Sequence, residues 1–138
     1  MIDFTFVRRT IEMHLGTNYS ATTMVRENVE VTNLGGEFIA LRDQAEGSHS
    51  LGMGDNVVRK DGLLLIDIYT PQDTGTARSR TIGDILAGLL ENQVIESITF
   101  GESELHTAGN VKDTQYFQQV LQTPYTFLYG AENVPCQY

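Results

Sequence analysis

The hydrophobic pattern changes period along the chain, and each change marks an element. Phe4, Val7, Ile11 and then His14 or Leu15 recur at helical spacing, with Asp3 placed to cap the helix and Gly16 to stop it. TTMVRENVEV carries β-branched residues without sustained alternation and predicts one short strand near Met24, and NLGG predicts a turn. EFIALRDQ, residues 37–44, alternates Phe38, Ala40 and Arg42 against Ile39, Leu41 and Asp43. Neither side is purely polar, so both faces of that strand are expected to be partly covered. AEGSHSLGMGDN then supplies three glycines and few packing residues, too long for a two-residue hairpin turn. VVRKDGLLLIDIY predicts a long strand that ends at Tyr69, is stopped by Pro71, and breaks or bends at Asp61-Gly62.

A second helix is expected from Ala77, with Thr74 or Thr76 as cap and a one-face stripe of Ile82, Ile85, Leu86, Leu89 and Leu90. Gly83 and Gly88 weaken it, and close approach to a neighbouring strand or chain would explain them. VIESITF reads as one strand and SELHTA as a weaker one. TQYFQQVLQTPYTFLYG reads as a long third strand in which Pro124 marks an edge or a bulge. The order α, short β, β, β, α, β, β, β predicts an α+β fold in one domain spanning residues 1–138. Its sheet is a single layer, mostly antiparallel or mixed, packed against two helices, with a long protruding β-hairpin.

Charge narrows the classes of function. Nine Lys and Arg face eighteen Asp and Glu, and a formal charge of -9 repels phosphate backbones. Cys136 is the only cysteine, which excludes an intrachain disulfide and a Cys-rich zinc site. The N-terminal stretch mixes arginines with Asp3 and Glu12 and reads as a helix rather than a signal peptide. No apolar run approaches membrane-spanning length.

Candidate chemistry is sparse. QDTGTARSRT has a strand before it and a helix after it, the setting for phosphate binding, but it lacks GxxxxGK[ST] and GxGxxG. Arg78 and Arg80 sit where the helix dipole disfavours cations. A subunit interface, a solvated face and an anion site all remain open for them. GSHSLGMGD is not GxSxG, and His14, His49 and His106 fall on different elements with no HExxH. Asp67 interrupts LLLIDIY and needs a partner if it points inward, and Arg42 on the preceding strand is the candidate. An acid or base role for Asp67 would need a second group that the sequence does not nominate. The basic residues form three small pairs, Arg8-Arg9, Arg59-Lys60 and Arg78/Arg80, suited to acidic patches on a neighbouring copy. The expectation is a protein that is not an enzyme, with no cofactor and no metal. Its candidate interface residues are Arg78, Arg80, Asp73, His49, Met53, Arg59 and Lys60.

Taken together, the N-terminal helix, VRENVEVTNLGGEFIALRDQ, the glycine-rich tip, GLLLIDIYTPQDTGTARSRTIGDILAGLL and the β-rich end resemble the tail-terminator, or tail-completion, proteins of long-tailed bacteriophages. The apolar-Asp-apolar-Tyr-x-Pro run before a polar turn and a helix is the most specific part, and the resemblance covers about residues 3 to 129. It implies a virion protein of the tail at the neck end, assembled in the host cytoplasm. Such a protein forms a hexameric ring that caps the tail tube, ends its polymerisation and connects it to the head–neck complex. Its partners would be further copies, the tail tube protein and a neck or head-completion protein. DNA would pass through the channel without specific binding, and no membrane is involved. The hairpin around Gly47 to Asp55 would be a contact loop, and the turn Thr74 to Arg80 would lie near an interface. Competing readings are a stopper or other neck protein, a small enzyme or ligand-binding domain using Asp67, His49 and Arg78 together, and a nucleic-acid-binding module with the arginine pairs gathered on one face.

Overall fold

The longest apolar run of the chain becomes its central strand. The computed structural model describes residues 2–19, 23–25, 37–50, 58–71, 76–111 and 116–129, without the side chains of residues 23, 25, 45, 46, 49 and 50. The elements are α1 (Phe4–Asn18), β1 (Thr23–Val25), β2 (Phe38–Ser50), β3 (Val58–Pro71) and α2 (Ala77–Leu90). They continue with β4 (Val94–Ile95), β5 (Ile98–Phe100), β6 (Glu104–Asn110) and β7 (Tyr116–Tyr129). The sheet runs β1-β2-β3-β7-β5-β4, with β6 also pairing β7. β1 is parallel to β2, and the other pairs are antiparallel. This is an α+β fold, a sheet of several antiparallel strands packed against two helices.

Alternation sorts β3 between two environments. Leu64, Ile66 and Ile68 are fully buried with Val7, Ile11 and Leu15 of α1 and Ile82, Leu86 and Leu90 of α2. Each large side chain buried in this way stabilises the fold by about 1.5–3 kcal/mol. Leu65, Asp67 and Tyr69 turn to the opposite face of the sheet. Both edges of β3 are paired, with β2 from Val58 to Tyr69 and with β7 from Val58 to Pro71.

α1 starts as its cap residue dictates. Asp3 is extended, and its carboxylate accepts from the Phe6 amide at 2.8 Å. Ile2 and Val7 are both buried, the placement used by a hydrophobic staple. Phe4 is not a core residue as its spacing predicts: it is 49% exposed at the helix start, against the rings of Phe127 and Tyr129. Gly16 does not end the helix either, which runs on to Asn18.

The hairpin strands are longer than their composition predicts. β2 continues through the glycine-containing segment to Ser50, because pairing with β3 satisfies the backbone whatever the side chains offer. The expected irregularity at Asp61-Gly62 lies instead in β2, as a bulge between Ala45 and Gly47 directly across from those residues. β7 accompanies β3 as far as Val58, so anything projecting beyond the sheet belongs to residues 51–57, outside the described residues. At the other end, Pro71 lies inside β3 rather than stopping it.

Three further expectations are corrected. Ile85 leaves the buried stripe of α2 and is 43% exposed, while Ser79 and Gly83 join the buried side. Gly83 does mark a close approach, since a Cβ there would meet Leu105 of β6 at 3.2 Å. VIESITF is not one strand but the hairpin β4–β5, turned at Glu96 (φ 49°) and Ser97 (φ 73°), two positive-φ positions as a type I′ turn requires. Pro124 sits in an interior strand, at the joint where the pairing of β7 passes from β6 to β5. Its carbonyl accepts from Gly101 on that side, so its missing N–H points to the same joint and no ladder bond is lost.

Gly62 shows how tightly the strands are keyed. A Cβ there would collide with the ring of Tyr125, its partner on β7, whose hydroxyl is anchored by donating to the Asp43 carboxylate on β2. Gly62→Ala is therefore expected to destabilise the fold by about 1–3 kcal/mol through overpacking, read as a lower midpoint in thermal or urea unfolding. An unchanged midpoint would mean that the Tyr125 ring is free to move aside.

Candidate functional site

The chemistry-bearing residues gather in two places on the sheet. On the face away from the helices, Arg42 donates twice to Asp67, from Nε at 2.6 Å and from Nη2 at 2.7 Å. Gln118 adds an amide donor at 2.9 Å. The expected partner of Asp67 is thus the observed one, reached diagonally, since Arg42 lies directly across from Leu65 and Ala40 across from Asp67. Asp67 is 3% exposed although no described helix covers this face, because Arg42 and Gln118 close over it. Beside it Phe38 stacks on Tyr69, and Tyr116 meets both rings edge-on. Burial, and then the Asp67 carboxylate, hold the Tyr69 phenol above its ordinary pKa.

The second place is a hollow of about 220 Å³ on the helix face, near the far end of the hairpin. Phe4, Asp43, Lys60, Tyr125 and Phe127 are among its lining residues. The Lys60 ammonium donates to Ser48 at 2.8 Å and lies 5.7 Å and 5.3 Å from the ring centres of Phe4 and Tyr129. Burial, then the hydrogen bond to Asp43, push the Tyr125 phenol far above its usual range. Every polar group named here has a partner within the fold. Among the described residues the hollow binds its own side chains together.

The other predicted positions are dispersed. Arg78 grips Glu37 with two bonds of 2.7 and 2.6 Å, which explains a cation in the first turn of α2 and ties that helix to the start of β2. Arg80 is exposed, with no side-chain partner among the described residues. Arg59 bonds Asp61 at 3.2 Å on the face opposite Lys60, so this basic pair is split by the alternation of β3. Met53 and Asp73 lie outside the described residues, and His49 lies in β2 with its side chain outside them.

Of the histidines, His14 bridges the helices. Its Nε2 lies 3.0 Å from the Leu89 carbonyl and its Nδ1 3.3 Å from the Asn18 amide, so Nε2 carries the proton and Nδ1 accepts. His106 pairs with Glu104 at 3.2 Å on the exposed strand β6. Among the described residues no three His, Cys, Asp or Glu side chains gather as metal ligands. His49 pairs with Arg59, eight residues along β3 from Asp67, which separates their backbones by about 26 Å at strand spacing. Asp67, His49 and Arg78 do not form one site. No described helix is long and apolar enough to cross a membrane.

The residues that sequence reasoning missed here are Gln118, Asp43 and Tyr125. Only the register between β7 and β3 brings Gln118 to Asp67, and only that between β2, β3 and β7 brings Tyr125 to Asp43.

No family model and no curated protein matches the chain. It is similar to a solved structure whose name carries no functional description, with a TM-score of 0.70 and 14% identity over 96% of this chain and 100% of that one. At that identity the likeness concerns the fold alone.

Removing Arg42 leaves a buried carboxylate without its charge partner. Arg42→Ala is expected to cost about 3 kcal/mol, the lower end of the range for a broken buried pair because Arg42 itself is half exposed. The double variant Arg42→Met/Asp67→Leu should recover most of that in chemical unfolding.

A second expectation concerns alkaline pH. The folded pKa of Tyr125 is raised above the ordinary 10.0, so above about pH 10 the unfolded chain loses the proton first and stability falls as pH rises. Tyr125→Phe should make that decline shallower while lowering stability at neutral pH. Identical alkaline slopes in the two proteins would contradict the assignment.

Proposed function

We propose that this chain is a structural protein that works through surfaces shared between copies. Following the resemblance of its sequence, we take it for a tail-terminator protein that forms a ring on the phage tail tube, ends tube growth and connects the tube to the neck. The observation that carries this reading is the one-sided architecture of the described residues. Both helices lie on one face of a seven-stranded sheet. The opposite face mixes Ala40, Leu63 and Val120 with Arg42, Gln118, Gln122 and His106. A broad, mixed surface of this kind suits contact with other proteins or the wall of a wide channel, and it does not resemble a closed pocket. The formal charge of -9 supports a channel that DNA crosses without sticking. Further copies, the tube protein and a neck protein are the partners this reading requires, and the virion tail is its location.

A stopper or another neck protein would use the same surface. The hollow beside Lys60 favours a different reading, a small ligand-binding domain. Its polar groups, however, are already bonded to one another.

Particles produced without this protein are expected to show overlong tails, or tails not joined to heads, in electron micrographs. Tails of normal length joined to heads would overturn the reading.

A further inference from the structure

Among the described residues the outer side of β6 and the part of β2 beyond β1 have no strand beside them, and the direction of each backbone group there follows from three hydrogen bonds. In an antiparallel ladder, alternate residues turn their N–H and C=O to one neighbour and the rest to the other. Pro124 and Tyr116 accept from Gly101 and Val111 on the side away from β3. Even-numbered residues of β7 therefore face β5 and β6. Through the register, Glu104 and His106 bond inward to Gln122 and Val120, and Leu105 and Thr107 turn their amides and carbonyls to the open edge of β6. The same alternation carried across β3 turns Leu41 and Asp43 outward on β2, followed after the bulge by Ser48 and Ser50. The Leu41 carbonyl bears this out by accepting from Arg8 at 3.4 Å. β1 covers β2 only over Phe38 to Ala40, so Asp43–Ser50 is an edge without a strand beside it among the described residues.

We propose that copies of this chain join edge to edge, the open edge of β6 on one copy pairing antiparallel with the Asp43–Ser50 edge of β2 on the next. The proposal rests on the ring reading above and adds the contact that would build the ring. Three features select a second copy as the occupant. β2 and β6 run in opposite directions within one sheet, so a copy rotated about an axis along the strands offers β2 antiparallel to β6 with its helices on the same side. Antiparallel pairing of β6 with the β6 of another copy would be isologous and stop at two chains. Unlike edges make a heterologous contact, the kind that closes into a ring. β1 and Arg8 block β2 below Asp43, so the neighbour must slide along the strand axis, the offset that tilted strands produce in a closed sheet. Backbone pairing supplies the affinity, and the opposite strand directions supply the orientation.

The test uses the full chain and two single variants, Thr107→Pro and Ser48→Pro, each removing one outward amide and no inward one, together with the hydroxyl that accepts from Gln119 or Lys60. Sedimentation over a wide concentration range is expected to show the wild type assembling and each variant remaining a single protomer. An equimolar mixture of the variants is expected to yield a two-chain species and nothing larger, because one intact β6 edge meets one intact β2 edge. Circular dichroism checks folding. Amide hydrogen exchange on the wild type decides the matter if a proline variant unfolds: slower exchange at Leu105, Thr107, Ser48 and Ser50 in the assembled form supports edge pairing, and unchanged exchange there overturns it. Variants that assemble as the wild type does would overturn edge pairing and leave the ring reading standing. A wild type that stays a single protomer at every concentration would overturn the proposal, while tail morphology would still judge the ring reading separately.

Discussion

The structure hangs on β3 being paired along both edges and buried on both faces at once. A strand in that position cannot slip by one residue, since a slip would carry Leu64, Ile66 and Ile68 away from the helices and push Asp67 in among them. The Arg42–Asp67–Gln118 cluster ties three strands together on one face, and the Asp43–Tyr125 bond over Gly62 ties the same three on the other. Two polar links on opposite faces, each demanding one register, make β2, β3 and β7 a single keyed unit. The helices then need only an apolar stripe each to settle on it.

That arrangement uses up most of the charged chemistry of the described residues. Asp67 is held by Arg42, Arg78 by Glu37, Asp43 by Tyr125 and Lys60 by Ser48 and two aromatic rings. Groups that are satisfied internally stabilise the protomer and set its shape, and they are poorly placed to act as bases or nucleophiles. Among the described residues, backbone edges and a mixed sheet face without a helix over it remain for contact with other molecules, and this is why the functional reading turns to surfaces.

The two helices and the two edges have complementary consequences. Among the described residues both helices pack on one side of the sheet, and an edge strand such as β6 would be an aggregation hazard in a protein meant to stay alone. Arg8 over Leu41 and the bulge at Gly47 limit that hazard on β2 without closing its edge. The bulge at Thr107/Gly109, with Gly109 at φ 93°, bends β6 beyond the outward groups of Leu105 and Thr107.

How much of this was legible beforehand depended on the range of the interactions concerned. Asp3 as a cap, the Val7–Ile11–Leu15 stripe, the long strand around LLLIDIY, the start of α2 at Ala77 and the pairing of Arg42 with Asp67 were all readable. Each depends on periodicity, a neighbouring residue or one hairpin register. The α+β class follows from the order of such elements. Long-range pairing decided the rest. It extended β2 through a segment poor in packing residues, placed Pro124 inside the sheet at a joint between two partners, folded VIESITF back on itself at Glu96 and Ser97, and brought Gln118 and Tyr125 to their carboxylates. Local sequence determines which segments can be helix or strand, because those preferences act over a few residues. Which edges are filled, and which face stays open, is settled only when strands far apart in the chain meet and exchange backbone hydrogen bonds that carry no mark in the side-chain pattern.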